Sequence, residues 1–339
     1  MALIEEVHER AGPPAAQHAP WTMPPQPLPR HRSVGHRLGK GVAVVGLAAV
    51  VAVSIFRLIE RRHPAGEPER EREHVKAARD LGAGAAILAL SVLTDSSIEH
   101  YRGAYHNPAM YVAPAASAVS LANSLHMAWR PEVSGNGRLA VSALTLTTGI
   151  AGLAFHLYNV AKREGGVRLV NLFYGAPLLA PAAIASCGLA GLAAAQLVAE
   201  AEDGSDPTLL GLPAAPVIGG GAVAAMLGTV AEAALLHFRG AFHHPFMYVP
   251  VAVPPAAAAT LAMALVQPRL RGAAVALLRL TAVVGIAGAG FHIYGVSRNL
   301  GGFYNWSQNL LNGPPIPAPP SFTGVALAGL AATRLLQRA

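Results

Sequence analysis

The sequence predicts an all-α, polytopic membrane protein: one N-terminal anchor helix plus two tandem parallel four-helix repeats, about nine transmembrane helices in all. Three observations predict it. The 339-residue chain is 53% hydrophobic and only 13% charged, with a mean hydropathy of +0.41, whereas soluble domains carry roughly a quarter charged residues. Its apolar runs reach the ~20 residues that cross about 30 Å of hydrocarbon as helix. Its second half also repeats motifs of its first at a nearly constant offset.

Residues 1–37 are Pro-rich and polar, which predicts a disordered tail. Residues 38–59 predict a transmembrane anchor, apolar from Gly41 to Ile59, entered through Arg30, Arg32, Arg37 and Lys40. No A-x-A site follows the apolar run, so a retained anchor is expected rather than a cleaved signal peptide. Residues 60–76 form a charged linker whose run from Glu67 to Lys76 is expected to be a solvated helix. Spans at Leu81–Ala104, Pro108–Trp129, Leu139–Ala161 and Ala176–Ala199 make a first unit, residues 77–200. Spans at Ala214–Phe238, Pro245–Val266, Gly272–Val296 and Pro320–Leu336 make a second, residues 213–337.

The repeat is explicit in the residues. His100-Tyr-Arg-Gly-Ala-Tyr-His-Asn-Pro-Ala-Met-Tyr-Val112 recurs as His237-Phe-Arg-Gly-Ala-Phe-His-His-Pro-Phe-Met-Tyr-Val249. Gly149-Ile-Ala-Gly-Leu-Ala-Phe-His-Leu-Tyr158 recurs as Gly285-Ile-Ala-Gly-Ala-Gly-Phe-His-Ile-Tyr294, and Asn171–Pro177 recurs loosely as Asn309–Pro315. Four spans per unit is an even number, so both units enter and leave on one face, a parallel repeat rather than an inverted one. The repeated motifs all fall on the same face.

Eight of the 14 histidines lie beyond the tail and linker, and six of these pair across the repeat: His100 with His237, His106 with His243, His156 with His292. Ionisable side chains within spans are expensive and mark function. His100 and His156 fall at similar depths on antiparallel spans, as do His237 and His292, while His106 and His243 precede the next span and sit at its mouth. Gly149 and Gly152 share the stripe of His156, as Gly285 and Gly288 share that of His292, which offers either a bare surface for a flat macrocycle or small-residue helix packing. His126 and His244 stand alone; His126, near Trp129 and Arg130, reads as interfacial. Asp95 aligns with Glu232, while Arg279 has no charged counterpart.

Three functions compete. A redox subunit would bind haem b through His100, His156, His237 and His292, with Arg102 and Arg239 available to haem propionates, and would pass electrons between a soluble partner subunit and quinone. A metal-dependent enzyme would use all six paired histidines around a non-haem metal. A proton-coupled transporter or channel, with no cofactor, would use Asp95, Glu232 and Arg279. In architecture alone, the first resembles membrane cytochrome b subunits. Cys187 is the single cysteine, which excludes a disulfide framework, a Cys-ligated iron–sulfur cluster and covalent C-x-x-C-H haem. The net charge of +7 comes from residues flanking the spans rather than from patches, so membrane lipid, not nucleic acid, is the expected surroundings. No phosphate-binding glycine loop or nucleophile motif occurs, and no catalytic residue is assigned. The chain is expected in the cell inner membrane with its N-terminal tail cytoplasmic.

Overall fold

The computed structural model describes residues 69–336, apart from Ser134, Ala176, Leu178 and Asp203–Ser205; the tail, the predicted anchor and the first part of the linker lie outside the described residues. Helix dominates. The long helices are α1 (Glu69–Arg102), α2 (Val112–Trp129), α3 (Asn136–Ala161), α5 (Ala180–Glu202), α6 (Ala214–Arg239), α7 (Val249–Ala264), α8 (Arg271–Arg298) and α10 (Pro320–Leu336). Two short helices, α4 (Leu169–Tyr174) and α9 (Trp306–Asn309), follow α3 and α8, and a two-residue hairpin, β1 (Thr208–Leu209) with β2 (Leu212–Pro213), links α5 to α6.

Among the described residues, six helices are long and apolar enough to cross a membrane: α1, α3, α5, α6, and α7 and α8 with the turns that lead into them. This is the composition of an all-α membrane protein. The other two expected spans are helical but differ in character. Helix α2 carries Ser117, Ser120 and Ser124 on its buried side. Helix α10 has 17 residues and is buried at almost every position from Phe322 to Leu336, so it is a central post rather than a lipid-facing span.

Helix α1 packs on α2 and α5, and α3 packs on α5 and α2. Helix α6 packs on α7 and α10, and α8 on α10 and α7. Helix α10 also lies along the length of α1, whereas α5 meets α6 only lightly. Lipid is as apolar as leucine, so these contacts depend on small residues that let backbones approach. A Cβ on Gly84 would meet Gly324 O at 2.6 Å, and one on Gly324 would meet Gly84 O at 2.7 Å. On the other side of α1, a Cβ on Gly82 would strike the Ala128 amide of α2 at 2.8 Å.

The described end of the charged linker, from Glu69, is continuous with α1. Helix α1 runs without a break from Glu69, because its Glu, Arg and Lys residues are good helix formers, and Lys76 pairs with Glu73 one turn away at 2.8 Å. Arg334 Nε of α10 donates to Asp80 Oδ2 at 2.6 Å, and Arg334 Nη1 lies 4.0 Å from Glu73 Oε2. Asp80 is 2% exposed and His74 is buried nearby. On α5, Glu200 accepts from Gln196 Nε2 (2.9 Å), from the Thr208 amide (2.7 Å) and from Thr208 Oγ1 (2.6 Å), which fastens the hairpin to the helix end.

Two substitutions test the α1–α10 crossing. Gly84→Val should force the helices apart and destabilise the bundle by about 1–3 kcal/mol, read as a lower melting temperature in detergent. Gly137→Ala, with nothing within 4 Å of its added Cβ, should leave the melting temperature unchanged or raised.

Candidate functional site: two sets of histidines

The segments around His100 and His237 fold alike for local reasons. Helix α1 ends at Arg102 and α6 at Arg239, each followed by glycine and two left-handed residues: Ala104 (φ 54°) and Tyr105 (φ 45°), Ala241 (φ 54°) and Phe242 (φ 45°). The Tyr105 amide donates to His100 O and the Phe242 amide to His237 O, both at 3.0 Å. Pro108 and Pro245, with φ preset and no N–H to leave unpaired, then open 3-10 turns into α2 and α7. Asn107 Oδ1 accepts from the Ala109 amide at 2.9 Å, and His244 Nδ1 from the Phe246 amide at 3.3 Å. His244, unpaired in the sequence, is therefore the cap equivalent to Asn107.

This reversal returns a carbonyl to each histidine. His100 Nδ1 bonds Met110 O at 2.5 Å and His237 Nδ1 bonds Met247 O at 2.8 Å. His156 Nδ1 bonds Pro177 O and His292 Nδ1 bonds Pro315 O, both at 2.6 Å, from the segments that lead into α5 and α10. His106 and His243 turn back on Gly103 O (3.0 Å) and Gly240 O (2.9 Å). A carbonyl oxygen can only accept, so in all six rings Nδ1 carries the hydrogen and Nε2 keeps its lone pair. Among the described residues no hydrogen bond engages any of these Nε2 atoms. That is the arrangement in which an imidazole serves as a ligand, its other nitrogen held by a second-shell acceptor.

His156 lies within electrostatic range of His100, and His292 within that of His237. All four are half-buried, while His106 and His243 are exposed. Tyr105 meets the His100 ring edge-on at 6.0 Å and Phe242 meets His237 at 5.9 Å, and each is stacked in turn on Tyr111 or Tyr248.

The glycines do not leave a bare surface. A Cβ on Gly149 would fall 2.2 Å from the Ala185 amide, and one on Gly152 would fall 3.1 Å from Pro181 Cβ, both on α5. Gly285 and Gly288 face Thr323 of α10 and Pro319 in the same way. Their stripe is filled by the next helix, and that close approach is what brings the Pro177 and Pro315 carbonyls to the histidines. Arg102 pairs with Glu99 at 2.6 Å, and the Arg239 guanidinium lies 5.5 Å from the Phe173 ring centre. Asp95 and Glu232 come near enough to repel one another, and Arg279 is exposed on α8. His126 accepts from Arg138 Nη2 at 2.7 Å, at the far end of the bundle. Among the described residues, no three of His, Cys, Asp and Glu assemble into a group able to hold a metal ion.

The shared tautomer is open to direct measurement. In ¹⁵N-histidine spectra above pH 7, His100, His156, His237 and His292 should each show a protonated Nδ1 and a bare Nε2. Gly152→Leu should disturb the His156 signal and leave that of His292 in place; an unmoved His156 would break the link between glycine packing and imidazole position. No protein-family model matches this chain, and no curated protein or solved structure compared with it does so either.

Proposed function

We propose that this chain is an integral membrane redox subunit that holds haem b between His100 and His156 and again between His237 and His292, and passes electrons between a soluble partner at the histidine-bearing face and quinone in the bilayer. The observation that carries the reading is the common state of the four imidazoles, each with Nδ1–H fixed on a backbone carbonyl and Nε2 unengaged. Two ligands per site suit an iron whose remaining positions come from a macrocycle, whereas a non-haem centre needs at least a third. Residues 77–200 and 213–337 act here as two copies of one four-helix unit, which with Gly41–Ile59 amount to nine spans. The basic residues Arg102, Lys162, Arg163, Arg168, Arg239 and Arg298 favour the histidine face as cytoplasmic, in an inner membrane.

The test is a reduced-minus-oxidised absorption spectrum of the purified chain. A b-type spectrum is expected, with His156→Ala and His292→Ala each removing about half of it while the other site survives. A colourless preparation that is fully folded overturns the reading.

A second reading rests on a separate observation, the approach of Asp95 to Glu232. Buried carboxylates inside spans favour the protonated form, so such a pair is suited to carrying a proton. On this reading the chain is a proton-coupled transporter, and Asp95→Asn or Glu232→Gln should abolish proton-driven uptake in vesicles without changing any absorption spectrum.

A further inference from the structure

Gly84 and Gly221 stand at equivalent places, 16 residues before His100 and His237, yet they meet different surroundings. Two residues earlier the halves agree: Gly82 faces Met127 and Ala128 of α2, and Gly219 faces Leu265 just beyond α7. At the next position they part. Gly84 lies against Gly324 of α10, while a Cβ on Gly221, or on Gly220, would have nothing within 4 Å. With Pro216, Ala224 and Leu227 these glycines form one exposed stripe along α6. Glycine weakens a helix, and within a membrane its use is to admit another backbone. On α1 that backbone is α10, and on α6 no described helix supplies it.

We infer that the α6 stripe seats the apolar segment Gly41–Ile59 of the same chain. The described chain begins at Glu69, the start of α1, and α1 and α6 start at the same end of the bundle: Asp80 pairs with Arg334, and Gly219 faces Ala332, two residues away on α10. Both helices pack on α10, so their axes stand no more than about 20 Å apart. Residues 60–68 reach roughly 30 Å when extended. A helix ending at Ile59 would carry Ala52 to the depth of Gly220 and Gly221 measured from the start of α6, ~10 Å, and Ala49 to that of Ala224, ~15 Å. Seated there, it would set small residues against small residues at two levels, as close helix packing in lipid requires.

Cysteine pairs in the full-length chain test this, in a Cys187→Ala background with a protease site placed in residues 60–68. After oxidation in native membranes and cleavage, Ala52→Cys with Gly221→Cys, and Ala49→Cys with Ala224→Cys, should hold the two fragments together. Ala52→Cys with Val119→Cys, on the exposed side of α2, should release them. The Ala49–Ala224 pair alters neither glycine, so it reports even where Gly221→Cys disturbs α6. Fragments that separate in both test pairs, equal linking to Val119, or a product of twice the mass from two copies would each overturn the inference.

Discussion

Inside hydrocarbon, helices gain nothing by hiding apolar side chains from lipid that is just as apolar, so their association depends on how closely their backbones can approach. This protein meets that constraint with glycine at three crossings: Gly84 with Gly324 between α1 and α10, Gly149 and Gly188 between α3 and α5, and Gly285 and Gly329 between α8 and α10. The histidines depend on the same contacts. The Pro177 carbonyl reaches His156 because Gly149 and Gly152 admit the start of α5, and the Pro315 carbonyl reaches His292 because Gly285 and Gly288 admit α10 and the residues before it. Imidazole orientation in this fold is thus set by helix packing and by backbone acceptors, with no side-chain carboxylate required.

The segments around the two sets of histidines share this local geometry and differ in what surrounds them. The buried seam of α2 is Ser117, Ser120 and Ser124, whereas α7 buries Pro254, Ala257 and Leu261 at the equivalent positions. Tyr105 donates through its hydroxyl to Ser97 O at 3.2 Å, a bond Phe242 cannot make. The halves also interlock at the histidine face, where Tyr101 of α1 meets Trp306 of α9 at 6.0 Å and Phe173 of α4 meets Phe238 of α6 at 5.9 Å. Each first helix thereby ends against a segment of the other half, Tyr101 on Trp306 and Phe238 on Phe173.

The sequence makes some of this legible and hides the rest for physical reasons. Apolar run length gives the membrane class and most helix bounds because it reflects one local quantity, the transfer of about 20 residues into lipid. Duplication marks the six histidines because any shared chemistry must appear twice. Contacts between distant residues leave no such trace. Nothing local in Glu73 or Asp80 announces Arg334, 254 residues beyond Asp80, so that end of α1 reads as a solvated linker. Glycines beside a histidine suit a cofactor or a helix equally well, and only the position of α5 decides between them. The cap role of His244 was available from its alignment with Asn107, since both follow the same turn and precede proline.

Helix α10, packed along α1 from Glu73 to Ser91, separates what is adjacent in space from what is adjacent in time. Some 220 residues lie between the end of α1 and the start of α10, about 10–40 s of synthesis at ordinary rates. During that interval α1 is already in the bilayer with Gly84 facing lipid and Asp80 lacking the arginine it later meets. Helix α10 is thus a closing element: the Gly84 crossing and the Asp80–Arg334 pair form only once the last described helix has been made.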